Sequence, residues 1–293
     1  MNYLIDFAFW LVFLLYILTH WQILGYATGL LFWLYIILSF LNEKSSKQGA
    51  LSLIKIFAYF LIAWIVFTFV LNSKAPIAVI ASCSMMPVVP KGSVVFIANY
   101  GMPSIPIIQT TEKEIHQLYG PSFITYQGQN ITTDSSFLAE CMKNPTSIKC
   151  EIFKKVKYEQ RGPFIFIYEN CKRGDQPTLC ARYLIYKNKT YPLFKGPVFA
   201  FRTRPDDSLA NLQFIVHRAV LSFQTEKDIY YMSKGDNSEV PDVIGGMVGR
   251  RTHLVDKDRI IGVVFFEIPY IGYLRMLPLG FVGGDFACLN YLN

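Results

Sequence analysis

Phe214-Ile215-Val216-His217-Arg218-Ala219-Val220-Leu221-Ser222-Phe223 is an almost unbroken apolar run, rich in β-branched and aromatic residues and interrupted only by His217, Arg218 and Ser222. A short run of this composition reads as a buried strand. Residues 93–98, 164–168, 183–186 and 260–268 repeat the pattern, with Gly, Pro, Asn and Asp between them. The expectation for residues 90–270 is therefore a many-stranded antiparallel β-domain. Residues 110–118 alone read as a helix there, because Glu112 and Glu114 stand early in the run, where the positive end of the helix dipole favours them.

Upstream of this region the composition changes. Residues 3–72 carry only Asp6, Glu43, Lys44, Lys47 and Lys55 as charged groups, among dense Leu, Ile, Phe, Trp and Tyr. At about 1.5 Å of rise per residue, roughly 20 apolar residues cross the hydrocarbon core. The expected spans are 4–19, 21–41 and 51–71, since a single helix over 4–41 would far exceed the bilayer. Met1-Asn2-Tyr3 supplies no basic n-region for a cleavable leader. The lysines fall in 42–50 or at the start of the third span, which by the positive-inside rule places that loop in the cytoplasm. The β-domain then lies on the extracytoplasmic side. Residues 276–293 read as an apolar C-terminal tail.

The formal charge of +7 does not point to nucleic acid. The Lys and Arg residues are scattered among strand-like runs rather than gathered in a stripe, which suits a surface near anionic head groups. Of the six cysteines, Cys141 with Cys150 and Cys171 with Cys180 share a C-x8-C spacing. Zinc sites use closer ligand spacing and often histidine, and no histidine lies beside either pair, so disulfides are the better reading for an exported segment. Their connectivity stays open, and Cys83 and Cys288 have no evident partners, which leaves a pairing with each other open. Asn130-Ile131-Thr132 and Asn188-Lys189-Thr190 match the glycosylation acceptor pattern, as an exported segment allows.

Three elements carry chemistry. Ser82-Cys83-Ser84-Met85-Met86-Pro87 follows closely on the third apolar run. A serine hydroxyl needs a neighbouring base to become a nucleophile, and among the four histidines His217 stands in the strand-like run. Lys234-Gly235-Asp236-Asn237-Ser238-Glu239-Val240-Pro241-Asp242 then offers two carboxylates, the group type that orients an imidazole and stabilises its cation.

In this order the elements resemble type I signal peptidases, specifically the archaeal and endoplasmic-reticulum kind. The Ser-x-Ser-Met-x-Pro box falls on Ser82, Ser84, Met85 and Pro87, and the His-Arg box on His217-Arg218. The Gly-Asp-Asn box with its second aspartate falls on Gly235, Asp236, Asn237 and Asp242. Ile260-Ile261-Gly262 and Ile268-Pro269-Tyr270-Ile271-Gly272 also look like that family's ending. The resemblance implies a membrane-anchored, mainly β serine endopeptidase that removes signal peptides after small residues. In it Ser84 is the nucleophile, His217 the general base, Asp242 the orienting carboxylate and Asp236 a supporting one. Ser82 and the Ser84 backbone N–H would bind the oxyanion. Signal peptides of secretory preproteins, the lipid bilayer and the secretion translocon are the implied partners. No cofactor and no metal is expected, because a hydrolytic serine mechanism needs only water and fixed residues. The alternative is a catalytically inactive preprotein-binding subunit of an export complex.

Two departures stand out. Ser93 replaces the family's usual aspartate after Gly92, and His217 lies much further from Ser84 than in the family. Residues 73–102 and 206–275 are thus expected to form the catalytic core, with 103–205 as an extracytoplasmic insertion. Each C-x8-C pair, if bonded locally, constrains a short loop worth about 2–3 kcal/mol. That constraint is expected to act on 141–180 and to leave cleavage of a short peptide largely intact.

Overall fold

The computed structural model describes residues 71–73, 75–207, 214–245 and 253–273, with Lys55, Ala58, Tyr59, Leu61, Ile62, Ile65, Val66, Thr68, Phe69 and Val70 before them. Those ten residues are helical. The expected spans 4–19 and 21–41, the tail 276–293 and part of 51–71 lie outside the described residues. Among the described residues no helix is long and apolar enough to cross a membrane.

The chain is mainly antiparallel β. It begins with β1 (Ile77–Val79), β2 (Val94–Ala98), β3 (Ile107–Gln109) and the helix α1 (Glu112–Gln117), followed by β4 (Ser122–Tyr126) and β5 (Gln129–Thr133). Two helices, α2 (Phe137–Lys143) and α3 (Ile148–Val156), precede β6 (Tyr158–Arg161), β7 (Phe164–Arg173), β8 (Gln176–Tyr186) and β9 (Lys189–Pro192). The rest is β10 (Val198–Phe201), β11 (Ile215–Gln224), β12 (Ile229–Lys234), β13 (Val255–Asp256) and β14 (Ile260–Ile268).

Two compact units divide these elements: the described residues up to Ser82, Val89–Ala98 and the described residues from Phe265 belong to one, and Cys83–Val88 with Asn99–Val264 to the other, so one division falls inside β14. In the unit that contains β1 and β2, the two strands pair antiparallel with Ile77 opposite Phe96. The turn between them needs Gly92, which has φ +82° and gives up its side-chain space to the Tyr273 ring. Phe96 packs against Phe265 and Phe266, with ring centroids 6.4 and 5.5 Å away, and those two phenylalanines are 58% and 48% exposed.

The other unit holds two sheets. One has the order β14-β10-β11-β12-β13, with β3 parallel to β11, and the second has the order β5-β4-β6-β7-β8-β9. A common core fills the space between them. Phe164 stacks on Tyr186 at 5.0 Å and meets Phe223 of β11 edge-on at 5.6 Å, while Phe153, Phe166, Tyr168, Val220 and Met232 are buried in the same cluster. At about 25 cal/mol per Å² of apolar area removed from water, these rings bind the second sheet firmly to the first.

The second sheet is narrower than residues 103–205. β3 and β10 lie inside that range yet belong to the sheet that carries His217, where β10 sits between β14 and β11. Phe199, Ala200 and Phe201 are fully buried there, so β10 reads from sequence like any other short buried strand. Helix α1 begins with a reciprocal capping box between Thr111 and Glu114. Both cysteine pairs are bonded locally: Cys141–Cys150 ties α2 to α3, and Cys171–Cys180 bridges β7 and β8. Cys83 is also disulfide-bonded.

Candidate active site

Strand β11 carries His217 with only 7% exposure, opposite Phe199 of β10. Successive strand residues face opposite sides, so Arg218 points away from His217. The register between β11 and β12 shifts between Ala219 and Leu221, an irregularity of the kind that re-aims side chains beside a site. β12 ends at Lys234 and the chain turns through Gly235-Asp236-Asn237. It returns when the Asp242 N–H donates to the Ser233 carbonyl at 2.9 Å.

That return brings Asp242 to the imidazole. His217 Nδ1 lies 2.6 Å from Asp242 Oδ2, and Ser233 Oγ donates to the same oxygen at 2.5 Å. Burial pushes the Asp242 carboxyl upward, but the adjacent His217 and the hydrogen bonds from His217 and Ser233 more than offset it, so the group is held below the usual carboxylate range. An ionised carboxylate only accepts, which assigns the neutral imidazole's proton to Nδ1 and leaves a lone pair on Nε2.

Nε2 lies beside Gly235. A Cβ on Gly235 would sit 2.7 Å from the Ser84 carbonyl oxygen, 2.8 Å from Ser238 Oγ and 3.3 Å from His217 Nε2, so all three border one point that glycine leaves open. Ser84 is partly buried beside fully buried Met85. Its carbonyl accepts from the Asn237 N–H at 2.8 Å, and Asn237 Nδ2 donates to the Cys83 carbonyl at 3.0 Å. The segments 83–88 and 235–242 are thus laced together through Asn237.

Asp236 takes a different place. Both its oxygens accept from Arg218, Nε at 2.7 Å and Nη2 at 2.8 Å, and Arg218 also donates to the Gly196 carbonyl. This fork geometry is a strong paired hydrogen bond and fixes the turn. Ser82 is exposed and belongs to the unit that contains β1 and β2.

Four residues in this neighbourhood have no sequence signature. Ser233 is 3% exposed and secures Asp242. Lys234 is 8% exposed, and burial, only partly offset by Asp236 and Asp242, pushes its ammonium down to about 8. Its Nζ donates to the Gly235 carbonyl at 3.3 Å. Arg173 and buried Glu239 pair at 2.7 Å. A strand-end serine and a lysine before a glycine are too common to single out, and Arg173 lies more than sixty residues upstream of its partners. Among the described residues no cluster of His, Cys, Asp and Glu has the arrangement to hold a metal ion.

The arrangement can take a proton at Nε2, stabilise the resulting imidazolium through Asp242, and return the proton to a leaving group. Comparison with protein-family models and with curated proteins finds no match to this chain.

Proposed function

We propose that the chain is a membrane-bound serine endopeptidase of the signal-peptidase type, which removes signal peptides from exported preproteins. The observation that carries the reading is the hydrogen bond that His217 Nδ1 donates to Asp242, with Nε2 and the Ser84 carbonyl both beside Gly235. In this mechanism Ser84 Oγ attacks the scissile carbonyl carbon as its proton passes to Nε2. The tetrahedral intermediate collapses, Nε2 protonates the leaving amine, and water then hydrolyses the acyl ester by the same route. The Ser84 N–H is assigned to the oxyanion by the resemblance. Membrane attachment is supported by the apolar stretch 3–72 and by the exposed Phe265 and Phe266. The site faces the extracytoplasmic side of an archaeal cell membrane or of the endoplasmic reticulum.

The test uses the full chain in detergent micelles with a preprotein carrying Ala at the −1 and −3 positions. Cleavage is expected directly after the −1 residue. Replacing that residue with Trp is expected to lower kcat/KM by about 100-fold or more, because a pocket sized for a small side chain rejects a bulky one. Absence of cleavage by wild-type protein of every such preprotein supports the inactive, preprotein-binding alternative instead.

A further inference from the structure

The two hydrogen bonds of Arg173 connect the second sheet to the segment that closes on Ser84. Arg173 ends β7 at the tip of the β7–β8 hairpin, opposite Gln176. Its Nε donates to Glu239 Oε1 at 2.7 Å and its Nη2 to the Asn237 carbonyl at 2.8 Å. The neighbouring strand adds a third tie, from the Ala181 N–H to the Glu239 carbonyl at 2.8 Å. Asn237, held at its carbonyl by Arg173, is the residue that donates to the Ser84 and Cys83 carbonyls. Cys171 lies two residues before Arg173, and its disulfide to Cys180 fastens the same hairpin.

We infer that Arg173 is a positioning residue for the proposed active site, and that the second sheet braces the 235–242 segment against Ser84. The inference rests on the proposed protease reading for its kinetic arm only. Residues 235–242 contain Gly, Asn, Ser and Pro and belong to no strand or helix, so their placement depends on bonds from outside. A planar guanidinium reaches a carboxylate and a carbonyl at once, whereas an ammonium is a single point charge. Glu239, 2% exposed, would keep a buried, unpaired charge without Arg173. A shift of about 1 Å in a positioned group costs on the order of 100-fold in rate. The expectation that both C-x8-C bridges act only locally therefore changes for one of them: Cys171–Cys180 supports the brace, while Cys141–Cys150 lies between α2 and α3.

The experiment compares wild type, Arg173→Ala, Arg173→Lys, the Cys171→Ser/Cys180→Ser pair and the Cys141→Ser/Cys150→Ser pair. Each is assayed on a short signal-peptide substrate well below its melting temperature, and each is followed by amide hydrogen exchange. Arg173→Ala is expected to lower kcat about 10- to 100-fold with KM within about twofold, and to speed exchange in 83–88 and 235–242. Arg173→Lys is expected to recover little. The Cys171/Cys180 pair is expected to move both readouts in the same direction, and the Cys141/Cys150 pair neither. Loss of melting temperature with unchanged kcat and unchanged exchange in 83–88 overturns the inference. If wild-type protein cleaves nothing, the protease reading fails, and the exchange comparison still decides whether Arg173 braces the segment. If Arg173→Ala does not fold, Arg173→Lys and the Cys171/Cys180 pair decide in the same two readouts.

Discussion

His217→Ala is expected to lower preprotein cleavage by about four to six orders of magnitude, because nucleophile and base act as one unit and loss of either removes most of what both contribute. The protein should still fold. His217 sits in β11, whose backbone pairing with β10 does not depend on the side chain, and Ser233 still donates to Asp242 in the variant. Losing one hydrogen bond to a buried carboxylate costs about 1–3 kcal/mol, a fraction of a domain's stability. His217→Lys is not expected to rescue. Its amine would have to be neutral to accept a proton, and the ionised Asp242 carboxylate beside it would favour the charged ammonium instead. The check is cleavage rate beside a circular-dichroism melt, and wild-type turnover in folded His217→Ala would remove His217 from the mechanism.

The second large effect is expected at Asp242. Asp242→Asn should cost about 10³- to 10⁴-fold in kcat, since an amide can donate to Nδ1 and hold the imidazole in the wrong tautomer. Asp236→Asn should cost far less in turnover and more in melting temperature, because Asp236 bonds Arg218 and not His217. Asp242 also has a pH consequence. Its carboxyl is held below its unfolded value, so its contribution to stability is fully present above the unfolded carboxylate range and is lost as pH falls through the folded value. Asp242→Asn is therefore expected to flatten the acid limb of melting temperature against pH. A larger kinetic loss in Asp236→Asn than in Asp242→Asn, measured on folded proteins, would exchange the roles of the two carboxylates, and equal losses would remove the distinction between them.

Why some of this is readable from sequence and some is not follows from particular residues. The run around His217 and the run 260–268 are strands, because β-branched and aromatic residues bounded by turn formers leave few other solutions. The helix expected at 110–118 is α1 (Glu112–Gln117), equally local with Thr111 and Glu114 capping each other, whereas α2 and α3 overturn the expectation of a single helix in this region. Spacing alone does not distinguish Asp236 from Asp242. The resemblance favours Asp242, and only the return of the 235–242 segment to Ser233 puts one carboxylate on His217 and the other on Arg218. β3 and β10 escape assignment to the first sheet because a short buried strand carries no mark of its partner. Arg173 is illegible for the same reason on a larger scale. Its place beside Asn237 and Glu239 is set by packing of aromatic side chains between the two sheets, which no local pattern reveals.

Ser84 is the proposed nucleophile of a peptidase that acts on signal peptides. This role is tested most directly by incubating purified wild-type protein and Ser84→Ala, side by side in micelles, with one preprotein and sequencing the N-terminus of the product. A single mature N-terminus is expected from wild type, and no detectable product from a Ser84→Ala protein with wild-type circular dichroism. The same product formed at a comparable rate by both would contradict that role.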